Sequence, residues 1–245
     1  HTSFKWSNLA SHKAGVTVVI VGLSNHPGKV RRLYSMTDAG EAVVKEVDNI
    51  NGYLVPGKNI EVRPLSKAPD QRAKMQFGNH PYYGAALIFP VAIARRLSAD
   101  YPAAARFIRP LYGSKELIDC APRACLWIME EDADVARAIP PIAERLETVT
   151  LARIAATKDK AAQKLSAIPY RFRDQEFGTK HVLVVPRVSS ESRPYLPVGL
   201  VGCDAIIQDQ AFALYDAPIW NVALIASRLH LVWIATVCGK LETRY

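Results

Sequence analysis

The spacing of apolar and polar residues changes along this chain, and the predicted elements change with it. Residues 15–23 read GVTVVIVGL, a continuous apolar run rich in β-branched side chains. That pattern predicts a strand covered on both faces. Such a strand needs neighbours, and little sequence precedes it, so it is expected to belong to a larger sheet. A polar stretch follows from Ser24 to Arg32. Residues 49–55 (NINGYLV) lead through the turn pair Pro56-Gly57 into Ile60-Glu61-Val62. Residues 63–83 are polar and Pro-rich and predict irregular structure.

The middle of the chain shifts to a helical period. Residues 90–97 start with a proline suited to a first helical turn, and residues 102–108 predict a second helix. Residues 125–129 (CLWIM) read as a strand. Pro140-Pro141 opens the longest helical pattern, with apolar residues at Ile142, Leu146, Val149, Ala152, Ile154 and Leu165. It is predicted to run to about Ala167, ahead of Pro169. In the last third, residues 181–188 and 195–201 are strand-like, with six residues between them. Residues 203–208 and 211–215 predict short strands, and residues 221–238 a closing helix. The fold class expected is mixed α+β, with several helices and small, mostly antiparallel sheets.

Composition narrows the class further. The chain has 245 residues, is 49% hydrophobic and 22% charged, and carries a net charge of +8. These values exclude a disordered tail, a collagen-like fibre and a disulfide-stapled miniprotein. Cys120, Cys125, Cys203 and Cys238 are too scattered for a disulfide framework and are expected to be buried small hydrophobes in a reducing cytoplasm. No second close pair completes a zinc site. No membrane span is expected. The best candidate, residues 221–239, carries Arg228 and His230 near its middle, and an arginine there would cost roughly 2.5–3.5 kcal/mol. No signal peptide is visible. The chain opens on His1 rather than Met and runs quickly into core-like sequence, so it is expected to be a piece of a longer protein.

The positive charge is concentrated. Arg153, Lys158, Lys160, Lys164, Arg171 and Arg173 stand against Asp159 alone. A second stretch holds Arg95, Arg96, Arg106, Arg109 and Lys115 against Asp100. Everything after Val182 is neutral in sum. Basic side chains so spaced suit phosphate contacts, each steepening salt dependence by about 0.9 log units. The same charges also suit a solvated helix face.

Catalytic motifs are poorly matched. Residues 22–30 (GLSNHPGKV) lack the spacing and the final hydroxyl of a phosphate loop. Asn79-His80-Pro81-Tyr82 is similar to the Asn-Pro-Pro-Tyr tetrapeptide of DNA amino-methyltransferases, in which the Asn amide holds the target amine. Here the second residue is His, and no glycine-rich strand-to-helix loop lies upstream. A surface loop is the simpler reading. No catalytic residues are assigned.

Residues 188–197 (VSSESRPYLP) are the most informative local feature. Two apolar strands flank a polar tip with Ser189, Ser190, Glu191, Ser192 and Arg193. A two-stranded ribbon fits the DNA major groove. Glu can accept from cytosine and Arg can donate two bonds to guanine. In an extended tip, Glu191 and Arg193 would project on the same side. The alternative is a surface loop whose Glu–Arg pair is worth under about 1 kcal/mol.

Several segments together resemble the target recognition domain of MmeI-like, type IIL restriction–modification adenine-N6 DNA methyltransferases. They are Phe4-Lys5-Trp6 with residues 15–23, then Asn49-Ile50-Asn51-Gly52-Tyr53-Leu54, then Gly78-Asn79-x-Pro81 with Gly84. Ile108-Arg109, Gly113-Ser114-x-Glu116 and Arg123-x-Cys125-Leu126-Trp127 follow. Pro186-Arg187-Val188-Ser189-Ser190-Glu191 and Ser227-Arg228-x-His230-x-x-Trp233 complete the set. Tyr83 stands where the family's Asp is expected, and Ala85 replaces a Gly.

The resemblance implies a division into residues 1–48, the edge of a methyltransferase domain with its linker, and residues 49–245, a recognition domain. It implies a double-stranded DNA partner, a methyltransferase domain in the same parent chain, and S-adenosylmethionine used by that parent. No cofactor is expected in this chain, and the location expected is cytoplasmic. Base readout falls to Ser189, Ser190, Glu191 and Arg193. Phosphate contacts fall to Arg153, Lys158, Lys160, Lys164, Arg171, Arg173 and Arg187. Two other readings stay open: a self-sufficient methyltransferase using Asn79 to Tyr82, and an interaction domain that does not bind DNA.

Overall fold

The computed structural model describes residues 4–6, 16–26, 28, 30–37, 39–65 and 73–238. Two compact units divide the chain. Residues 1–67, 189–194 and 228–245 form one, and residues 68–188 and 195–227 form the other.

In the first unit, β1 (Phe4–Trp6) pairs antiparallel with β2 (Val16–Val18), Phe4 opposite Val18. The apolar run of residues 15–23 does not continue as one strand. β2 stops at Val18, and Ile20 and Leu23 are 80% and 93% exposed. β3 (Arg31–Met36) and β4 (Ala42–Val47) form a hairpin closed by Thr37, whose hydroxyl accepts from Glu41 N at 3.1 Å. Gly40 supplies the φ of 81° at that turn. The hairpin was not predicted from the polar stretch before it, because only Leu33 is buried.

The linker motif has a clear internal logic. Asn51 Oδ1 accepts from Tyr53 N (3.0 Å) and Val55 N (3.4 Å), making an Asx turn. Asn49 Nδ2 donates to Gly57 O at 2.6 Å, and Tyr53 Oη accepts from Val62 N at 2.6 Å.

The second unit holds β5 (Gln76–Phe77), β6 (Ile88–Phe89), α1 (Val91–Asp100), β7 (Ile108–Tyr112), α2 (Ser114–Ile118) and β8 (Arg123–Leu126). α3 (Ala133–Arg137), α4 (Pro140–Ala155) and α5 (Lys160–Leu165) follow. β9 (His181–Pro186), β10 (Gly199–Gly202), β11 (Ile206–Ile207), β12 (Ala211–Tyr215) and α6 (Trp220–Ile225) complete it. The last helix, α7 (Arg228–Val237), belongs to the first unit.

Two four-stranded sheets organise the second unit, in the orders β10-β9-β12-β5 and β11-β7-β8-β6. Every pairing is antiparallel except β11 with β7. β9 is buried on both faces. Val182 and Val184 pack with Ile207, Ala211 and Ala213, whereas Leu183 and Val185 pack with Leu214 and Ile225. This two-sided burial explains its unbroken apolar sequence. The largest core gathers Leu87, Phe107, Leu111, Leu126, Ile142, Val149 and Phe172.

Several predicted elements change their limits. Residues 102–108 form a 3-10 turn (Pro102–Phe107) and then enter β7. The long helix breaks after Ala155, because Asp159 caps a new helix by accepting from Ala161 N and Ala162 N. The closing helix likewise breaks between α6 and α7. Residues 63–83 contain β5, though residues 66–72 lie outside the described set. Only Cys125 is buried, its thiol pushed up to about 12 by burial, while Cys120, Cys203 and Cys238 are exposed. Of the phosphate-loop candidate, Pro27 and Lys29 lie outside the described residues.

Candidate nucleic-acid interface

The predicted strand pair forms, but its second strand starts at Gly199 and not at Tyr195, so twelve residues, 187–198, separate the two. β9 and β10 pair with Gly199 opposite Val184 and Gly202 opposite His181. The polar segment between them is a turn rather than an extended tip. Arg193 N donates to Ser190 O at 3.2 Å, and Ser192 N to Ser190 Oγ at 3.3 Å. A turn does not alternate its side chains, so the same-side argument for Glu191 and Arg193 fails. Glu191 and Ser192 are exposed, and Ser190 and Arg193 are half-buried. Ser189 departs from expectation: it is buried, and its Oγ has no hydrogen-bond partner. A base edge cannot reach a hydroxyl so enclosed. Arg228, the first residue of α7, donates Nη1 to Pro194 O at 3.2 Å and fixes the far end of the segment.

The basic stretch divides into one buried arginine and a set of surface cations. Arg153, expected at a phosphate, is 0% exposed. Its guanidinium donates to five backbone carbonyls: Pro81, Tyr82, Leu165, Ile168 and Arg171, at 2.7–3.2 Å. Burial pulls its pKa down to about 10, so it stays charged at neutral pH. With every direction satisfied, Arg153 is a structural post and not a phosphate contact.

Lys158 lies in the break between α4 and α5, Lys160 begins α5 and Lys164 lies in its last turn, and all three are exposed. Arg173 is exposed, pairs with Asp174 at 3.1 Å and lies over the Tyr82 ring at 5.4 Å. Arg171 is half-buried. Arg187, just beyond β9, is exposed; it stacks 4.9 Å from the Phe77 ring centroid and donates Nη1 to Asp209 O at 3.1 Å.

The Asn79-His80-Pro81-Tyr82 tetrapeptide is a junction of the fold. Asn79 is buried. Its Nδ2 donates to Glu176 O (2.8 Å) and Ile207 O (3.1 Å), and its Oδ1 accepts from Glu176 N (2.7 Å). With the residue fully buried, no target amine can reach that oxygen. Tyr82 Oη donates to Asp159 at 2.8 Å, which raises the Tyr82 pKa and, with the N–H of Ala162 as the larger cause, lowers that of Asp159.

Other motifs also resolve into structure. Glu116 accepts from Gly113 N at 2.9 Å at the start of α2 and pairs with Arg123 Nε at 2.8 Å. Arg123 Nη2 reaches Gln208 Oε1 at 2.6 Å. Sequence reasoning missed the left-handed backbone at Tyr82 and Tyr83, which nothing in their side chains announces.

A model of the family described as MmeI, target recognition domain, matches residues 56–245. This chain belongs to that family. Residues 1–35 match a second MmeI model, the DNA-methyltransferase domain. DNA methyltransferase A of Bacillus subtilis (strain 168) is 37% identical over all 245 residues, which cover 27% of that protein. The structure of the type IIL restriction–modification enzyme MmeI in complex with DNA matches with a TM-score of 0.82 and 26% identity. That match covers 99% of this chain and 32% of the enzyme. The chain thus spans between a quarter and a third of the length of these two relatives. The likeness read from scattered motifs and the mixed fold with small antiparallel sheets are both borne out. Among the described residues, no group of His, Cys, Asp and Glu is set to hold a metal ion, and no helix is long and apolar enough to cross a membrane.

Proposed function

We propose that this chain selects a short duplex DNA site for an adenine-N6 methyltransferase of the restriction–modification type. The observation that carries the reading is the match of nearly the whole chain to an enzyme solved with DNA. On this reading residues 1–48 belong to the edge of the methyltransferase domain and its linker, and residues 49–245 to recognition. S-adenosylmethionine is used by the parent enzyme, in the cytoplasm. Glu191, Arg193 and Ser190 contact base edges, and Ser190 also holds the turn through its carbonyl and hydroxyl. Lys158, Lys160, Lys164, Arg171, Arg173 and Arg187 contact phosphates and fix register without carrying sequence information.

The exposed positions of the three lysines support that division, because each can meet a phosphate without unpacking a core. The locked amide of Asn79 supports leaving chemistry to the methyltransferase domain. Long-read sequencing of host DNA, with and without the gene, tests the reading. One short motif should carry N6-methyladenine only when the gene is present. Adenine modification that is identical in both strains would refute it.

A further inference from the structure

The turn from Pro81 to Gly84 is held with more force than a surface loop requires. Tyr82 and Tyr83 have φ of 47° and 62° in succession, a conformation that residues other than glycine rarely adopt. Arg153 takes the carbonyls of Pro81 and Tyr82 at 3.2 and 3.0 Å. His80 Nδ1 accepts from Tyr82 N at 2.9 Å, and Asp159 accepts from Tyr82 Oη at 2.8 Å. Gly84 N donates to Pro81 O at 3.0 Å, and a Cβ on Gly84 would lie 2.5 Å from that oxygen. Strain that its surroundings over-determine is a mark of functional positions.

The outcome of the clamp is the presentation of Tyr83. Its ring stands edge-on to Tyr82 at 5.6 Å and is 48% exposed. Among the described residues its hydroxyl has no hydrogen-bond partner. The ring shares a surface concavity with Ala155, Ala156, Thr157, Lys158 and Asp159. The one acid in that lining is already engaged, since Asp159 accepts from Ala161 N, Ala162 N and Tyr82 Oη. A phenolic donor, the Thr157 hydroxyl, an ammonium and two alanine methyls remain. That set matches a phosphodiester oxygen with its apolar sugar.

We propose that Tyr83 is a DNA-backbone contact, its hydroxyl donating to a phosphate that Lys158 also neutralises. This rests on the DNA-recognition reading above. The test is filter binding of the full-length protein to a short mixed-sequence duplex at several salt concentrations. Tyr83→Phe should weaken binding about tenfold on every sequence, as expected for a lost hydrogen bond to a charged group. Its salt slope should be unchanged, because a phenol releases no counterion, whereas Lys158→Ala should lower the slope by about 0.9. The melting temperature of Tyr83→Phe should match the wild type.

Wild-type affinity in Tyr83→Phe, beside weakened binding in Lys158→Ala, would overturn this proposal and leave the DNA reading standing. Weakened binding accompanied by a lowered melting temperature would make Tyr83 structural and also overturn it. No duplex binding by the wild type at any salt would overturn both.

Discussion

Arg153 and Lys158 lie five positions apart in one basic run, yet they meet opposite environments. Arg153 donates to five carbonyls inside the fold, while Lys158 stands in water. Arg153→Met should therefore cost about 3 kcal/mol or more, because it strands buried acceptors. Lys158→Ala should stay within about 0.5 kcal/mol. Urea unfolding of the two variants checks the contrast, and equal losses would contradict it. A count of charges could not separate the two residues. What decides burial is a set of carbonyls from residues 81–82 and 165–171, which come together only in the folded chain. Ser189 fails as a reader for the same kind of reason, since its enclosure is set by packing and not by its neighbours in sequence.

At the level of elements, strands with continuous apolar sequences were legible. β12 falls on the predicted residues 211–215, and β9 within 181–188. Helix ends were less so. The α4–α5 break depends on Asp159 competing for backbone N–H groups, a local event inside an otherwise helical pattern. The β3–β4 hairpin was invisible because its strands face water and bury only Leu33.

The start of β9 depends on another carboxylate. Asp216 accepts from the N–H groups of Thr179, Lys180 and His181 and from the Thr179 hydroxyl. These donors, that of Thr179 first, hold its pKa well below the usual carboxylate range. A depressed pKa stabilises the folded state above the unfolded value, about 3.9 for Asp, and that stability is lost as pH falls toward the folded value. Asp216→Asn should accordingly be less stable at neutral pH and lose less on acidification. Circular dichroism melts across the acid range check this, and parallel pH profiles would count against the cap.

Over the whole molecule, the proposed phosphate contacts other than Arg187 and the proposed readers occupy different stretches of chain. The surface cations from Lys158 to Arg173 precede β9, whereas the segment after Val182 is neutral and holds the Ser190–Arg193 turn. The family was legible as a whole because its motifs are structural joints: the Asn49–Asn51 linker, the Glu116–Arg123 pair, and Arg228 on Pro194. The turn that those joints leave outside the core is where specificity is expected to reside.

The central claim is that Glu191 and Arg193 choose a base. Exchanging the two residues in the full-length protein and mapping its methylated motif tests this most directly. The account predicts that one position of the motif changes identity, with a discrimination of roughly 1–3 kcal/mol, while the other positions persist. An unchanged motif with undiminished methylation would contradict it.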